Sequence, residues 1–114
     1  DWHADYQDAH KADGLILLGY GDYLTARPTF ERLVAQGTHF VRWGAVVEGQ
    51  PELSIGCDNV HGGELATAHL LGLGRRRIAF IGDIGDGSPE FRDRYRGHLQ
   101  ALAHAGLPAD PALQ

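Results

Sequence analysis

Cysteine occurs once, at Cys57, which excludes an intrachain disulfide and any zinc site built from several cysteines. A lone thiol fits a reducing compartment. Lysine is equally scarce, with only Lys11, so nearly all positive charge is arginine. Arginine offers a planar fork of donors suited to hydrogen-bonded recognition. An excess of positive charge is also missing: 10 Lys+Arg stand against 15 Asp+Glu, for a formal net charge of −5. A domain that grips nucleic acid by itself is normally basic, because neutralising phosphates supplies its affinity. These 114 residues are therefore not expected to hold DNA or RNA directly. Long apolar runs are absent as well. A stretch such as Leu15 to Leu18 is far short of the ~20 residues that cross a bilayer, so no membrane span is expected. The start, Asp1-Trp2-His3-Ala4-Asp5, has neither the basic opening nor the apolar segment of a targeting signal.

What is present is a globular composition. Hydrophobic residues make up 43% and charged residues 22%, enough apolar material to exclude a disordered acidic tail. The length is one domain's worth. Glycine, with 16 residues, is about twice its average share. Glycines between short apolar runs predict repeated strand–loop–helix junctions.

Along the chain, Tyr6 to Ala12 reads as the last turns of a helix. Gly14–Leu18 reads as a short strand buried on both faces, because it is brief, continuously apolar and flanked by glycine. Residues 19–25 read as a polar, aromatic loop. A helix then opens with Pro28 in its first turn, shows Phe30, Leu33 and Val34 at helical spacing, and stops at Gly37. Phe40–Trp43 is the second strand, and residues 44–52 form a loop. A third strand covers Ser54–Cys57, which places Cys57 in a buried core position. Asp58 and Asn59 suit the N-cap of a helix carrying Leu65, Ala66, Leu70, Leu71 and Leu73 and ending at Gly74. Ile78–Ile81 is the fourth strand, residues 82–89 are a Gly- and Asp-rich loop, and a last helix covers about 91–105 before Gly106. Strands alternating with helices indicate an α/β fold with a mostly parallel sheet. Both ends look cut, and four short strands would leave two open sheet edges. The chain is expected to be part of a larger domain.

Catalytic and metal-binding patterns are weak. Gly19-Tyr20-Gly21 lacks the third glycine of a dinucleotide turn and reads better as a flexible loop at a strand's carboxyl end. Asp58, His61 and Glu64 could share a helix face and hold a metal, but the spacing reads as a capped, solvated first turn, with His61 an alternative cap and Glu64 its capping-box partner. No Gly-x-Ser-x-Gly elbow occurs, and no constellation for catalysis is visible, so an enzyme is not expected and no cofactor or metal is assigned. The most informative stretch is Arg92-Asp93-Arg94-Tyr95-Arg96-Gly97. Its bland reading is a solvated helix face, with Glu90 and Arg94 paired at i,i+4. Placed in the first turn of a helix after a strand and a glycine-rich loop, Arg94 could instead reach over strand ends to a small ligand.

Four stretches together resemble the LacI/GalR family of bacterial transcription regulators in its effector-binding region. They are Asp13–Leu17; Leu33–Gly37 leading into Phe40-Val41; Ile55–Gly63 running on through Ala68–Ala79; and Arg94–Gly97 with Ala101-Leu102 and Gly106-Leu107. They follow the family's order and spacing over nearly the whole chain. Arg75 stands where the family usually has His.

The resemblance implies a periplasmic-binding-protein-like fold, two parallel-sheet lobes joined by a crossover, with only part of each lobe present. Residues 1–57 would be the later part of the N-terminal lobe and 58–114 the first part of the C-terminal lobe. The DNA-binding helix-turn-helix would lie outside this chain. Arg94 matches the family's effector-binding arginine in an Arg-x-x-Gly motif. Asp83, Ser88 and Glu90 in and after the preceding loop would face the ligand, as would Tyr20, Gly21 and Asp22. Arg42 and Trp43 match a strand end beside it, with Trp43 a platform for a sugar's apolar face. The implied function is the sensing of a small polar effector, a sugar, by a cytoplasmic homodimeric regulator whose operator DNA is held elsewhere in the protein. A sugar-binding protein of a transport system with the same fold is the alternative, and a Rossmann-like enzyme is a third.

Overall fold

Capping and helix breaking, more than hydrophobic periodicity, set the helix bounds in this protein. The computed structural model describes residues 12–18 and 21–114. The elements are β1 (Leu15–Leu17), α1 (Tyr23–Ala35), β2 (Phe40–Trp43), β3 (Ser54–Ile55), α2 (Asn59–Gly72), α3 (Pro89–His104) and a 3-10 turn at Pro111–Leu113. They fall into two compact units, one ending at Cys57 and the other spanning Asp58–Gln114. The helix expected over Tyr6 to Ala12 lies outside the described residues except for Ala12, which is irregular.

The first unit is a three-stranded parallel sheet in the order β1-β2-β3. Leu15 faces Phe40 and Leu17 faces Arg42, while Arg42 and Trp43 face Ser54 and Ile55. Helix α1 packs through Tyr23, Phe30 and Leu33, all buried. The Phe30 ring stacks on Phe40, with centroids 6.4 Å apart. The strand is not buried on both faces as the sequence suggests: Ile16 is 68% and Leu18 66% exposed. One helix covers one face, and the other face has no cover among the described residues.

Helix α1 starts at Tyr23, five residues before Pro28. Asp22 caps it, its Oδ1 accepting from the Thr25 amide at 2.8 Å. That cap, together with burial of Tyr23, outweighs the missing donor of Pro28, which sits inside the helix. At the other end Gly37 adopts φ 71°, its amide bonds the Val34 carbonyl and the Thr38 amide the Leu33 carbonyl, each at 3.0 Å. This paired closure needs a left-handed residue, which only glycine takes at low cost. Helices α2 and α3 end with the same bond pattern at Gly74 and Gly106.

In the second unit, α2 and α3 cross with their backbones in direct contact. A Cβ built on Gly63 would overlap the Arg94 carbonyl, and one on Gly97 would overlap the Val60 carbonyl. Beside the crossing, the Thr67 hydroxyl and His98 Nδ1 lie 2.9 Å apart and buried. His98 also faces the rings of Phe80 and Tyr95. Part of α2's apolar surface stays open, with Leu65 and Leu70 exposed.

Two expected strands change. Ile78–Ile81 forms no ladder; the Phe80 amide bonds the Leu113 carbonyl at 2.8 Å instead. A strand needs a neighbour, and this segment has none among the described residues. The third strand stops at Ile55, so Cys57 is exposed rather than buried in a core.

Candidate functional site

The N-terminus of α2 and the second turn of α3 build the most specific arrangement in the second unit. Asp58 caps α2, its Oδ1 accepting from the His61 amide at 2.9 Å. Asp58 is thus the cap, not His61. Asn59 follows it and is only 8% exposed. The Gly63–Gly97 crossing brings α3 close enough for Arg94, three residues before Gly97 and so on the same side of the helix, to meet Asn59. Arg94 Nε donates to Asn59 Oδ1 at 3.0 Å. The Arg94 guanidinium carbon also lies 5.2 Å from the centroid of the Phe91 ring. Helix α3 begins at Pro89 rather than at Phe91, so Arg94 stands in its second turn, not its first. Its neighbour Arg96 is exposed and pairs with Asp93 at 3.5 Å.

The loop before α3 is closed on itself. Asp83 accepts from the Gly85 amide at 2.9 Å and from the Ser88 hydroxyl at 2.7 Å. These two bonds, the backbone one first, hold the Asp83 carboxyl below the usual carboxylate range. The Ser88 hydroxyl consequently does not cap α3. Arg92 reaches back to Asp86 at 2.8 Å. Glu90 is half-buried in the first turn of the helix. Asp83 and Ser88 therefore shape the loop, and Glu90 follows it.

In the first unit, Trp43 ends β2 with 52% of its surface exposed. Arg42 differs from the expected ligand contact. It is fully buried: Nε pairs with Glu52 Oε1 at 2.5 Å, and one terminal nitrogen donates to the Ala45 carbonyl at 2.6 Å and to Gln50 Oε1 at 3.2 Å. Its guanidinium lies against the rings of Tyr23 and Phe30. Strand alternation points Arg42 into the unit and Trp43 out of it, which is why adjacent residues part ways. Gln50 extends the network, donating to the Glu52 carbonyl and to Ser54 Oγ, each at 2.7 Å. Arg42 thus organises the loop of residues 44–52. Burial, and next the Glu52 carboxylate, push the Tyr23 phenol above its ordinary value. Asp22 has one carboxylate oxygen committed to its cap. Tyr20 lies outside the described residues.

Among the described residues, no group of three His, Cys, Asp or Glu side chains gathers to hold a metal. Glu64 lies 3.9 Å from His61 and 3.4 Å from His104. No described helix is long and apolar enough to cross a membrane. The residue that sequence reading missed is Asn59. It passes for a second capping type after Asp58, and only the helix crossing reveals its partner 35 positions away.

No protein-family profile matches the chain. The ribose operon repressor of Escherichia coli K12 is 34% identical over 97 residues, covering 85% of this chain and 28% of the repressor. A solved LacI-family regulatory protein from Chloroflexus aggregans superposes with a TM-score of 0.81 at 28% identity, over 98% of this chain and 38% of that one. The transcriptional regulator CelR, solved as a cellobiose complex, matches with a TM-score of 0.76 at 30% identity, over 96% of this chain and 33% of CelR. The chain therefore spans less than two fifths of each of these relatives, which are transcriptional regulators rather than enzymes. The order of its parallel strands and helices, with these matches across nearly all its length, makes the chain similar to the LacI-family regulators and a partial stretch of their periplasmic-binding-protein-like fold.

Proposed function

We propose that the chain belongs to the effector-binding domain of a LacI/GalR-type regulator that senses a sugar. In this reading residues 1–57 are the later part of the N-terminal lobe and 58–114 the first part of the C-terminal lobe. Its support is that the chain divides into two compact units between Cys57 and Asp58. Arg94 is the principal ligand donor, and Trp43 offers an apolar platform. The carrying observation is Arg94 itself: its guanidinium is held at Nε by Asn59, and no acceptor among the described residues meets its terminal nitrogens. Those donors suit sugar hydroxyls. CelR is solved with cellobiose, and another LacI-family regulator, from Enterococcus faecium, with ribose. The sugar closes or reorients the lobes, and the population shift alters operator binding by a head outside these 114 residues, in a cytoplasmic homodimer. The matched relatives are regulators, which favours this reading over a transport protein.

The test titrates D-ribose and cellobiose, then a wider sugar panel, against the full-length protein on its operator. Arg94→Ala abolishes the sugar response while operator binding without sugar survives. The loss of a charged hydrogen bond corresponds to roughly ten- to a hundredfold weaker binding. Arg96→Ala, on another helix face, changes the response much less. Equal, small effects of the two substitutions would sink the assignment.

A further inference from the structure

We propose that Asn59 is a positioning residue that aims the Arg94 guanidinium, fixing it as a two-donor fork before any ligand arrives; this rests on the reading of Arg94 as a ligand donor. A guanidinium carries five N–H donors in one plane, and Arg94 spends one of them, at Nε, on Asn59 Oδ1 at 3.0 Å. That bond anchors the inner edge of the plane. The Phe91 ring, 5.2 Å from the guanidinium carbon, offers a second contact against it. The outer edge, with its two parallel donors, meets no acceptor among the described residues.

Asn59 itself has little freedom. It is the first residue of α2, directly behind the Asp58 cap, and it is 8% exposed. It lies on the helix that meets α3 at the Gly63–Gly97 backbone contact. An exposed arginine ordinarily samples many rotamers. Here that sampling is curtailed in advance, which lowers the ordering cost at binding. A fork fixed in this way selects ligands that place two oxygens side by side, the pattern of neighbouring sugar hydroxyls or of a carboxylate.

The experiment uses the full-length protein, labelled with nitrogen-15, with the Arg94 Nε–H resonance assigned by its disappearance in Arg94→Ala. The probes are D-ribose and cellobiose for paired hydroxyls and D-glucuronate for a carboxylate. Asn59→Leu is expected to speed solvent exchange of the Nε–H and to weaken binding of the accepted probe about tenfold. Asn59→Asp keeps an acceptor at the same reach and is expected to restore both. Should Asn59→Leu not fold, Asn59→Ser, too short to reach Nε, takes its place. Unchanged exchange and affinity in the Leu or Ser variant would overturn the proposal, as would failure of Asn59→Asp to rescue. Unaltered probe binding in Arg94→Ala overturns the ligand-donor reading instead. If no probe binds, the exchange measurement still decides whether Asn59 holds Arg94.

Discussion

Arg42 and Glu52 form an ion pair with neither side chain exposed to solvent, Nε to Oε1 at 2.5 Å. Glu52 Oε2 has no hydrogen-bond partner among the described residues, so one carboxylate oxygen carries its charge buried without a donor. The pair joins β2 to the segment just before β3 and holds the intervening loop through Ala45 and Gln50. Truncating one member strands the other's charge. Glu52→Ala is expected to destabilise the protein by about 3–5 kcal/mol in denaturant unfolding. The double change Arg42→Met with Glu52→Leu should cost far less, because no charge is left behind. A loss below about 1 kcal/mol for Glu52→Ala would show that the guanidinium finds water or another partner.

Gly97 is the contact point of two helices. Its substitution by Ala places a methyl group on the Val60 carbonyl, and backbone cannot rotate away as a flexible side chain can. Gly97→Ala should destabilise the protein by about 1–3 kcal/mol, the range for overpacking. The same displacement separates Arg94 from Asn59, so the Nε–H exchange should rise in parallel. Gly62→Ala is the control, since a Cβ there meets nothing nearby and the helix gains a better former. Calorimetry of the two variants decides the matter.

His98 titrates against burial, which lowers its pKa below the ordinary imidazole value. It faces the Thr67 hydroxyl and the rings of Phe80 and Tyr95. The folded protein therefore binds this proton less readily than the unfolded chain does. The contribution is fully present above the unfolded pKa of about 6.5 and declines as pH falls from there toward the folded pKa. Urea midpoints measured between neutral and mildly acidic pH should fall. His98→Gln, which does not titrate, should flatten that part of the profile.

Cys57 is exposed, beyond the end of β3. A thiol reagent should label it stoichiometrically in the native protein, without denaturant. Labelling that appears only on unfolding would return it to a core position.

Local chemistry made several elements legible from sequence. Gly37, Gly74 and Gly106 end their helices because the closing backbone bonds need a left-handed residue, and Asp58 starts α2 because its carboxylate accepts a free amide. The short apolar run at Leu15–Leu17 and the strand at Phe40–Trp43 are likewise local patterns. Arg94 stood out from its place after a glycine-rich loop and from the Arg-x-x-Gly spacing. What remained hidden depends on neighbours distant in sequence. Arg42 turns inward because α1 offers it Tyr23 and Phe30 while the loop offers Glu52, Gln50 and a carbonyl. Ile78–Ile81 has strand composition but lacks a ladder, since strands exist only in pairs. Asn59 meets Arg94 because two glycines 34 positions apart let helix backbones touch, a condition that no local pattern encodes.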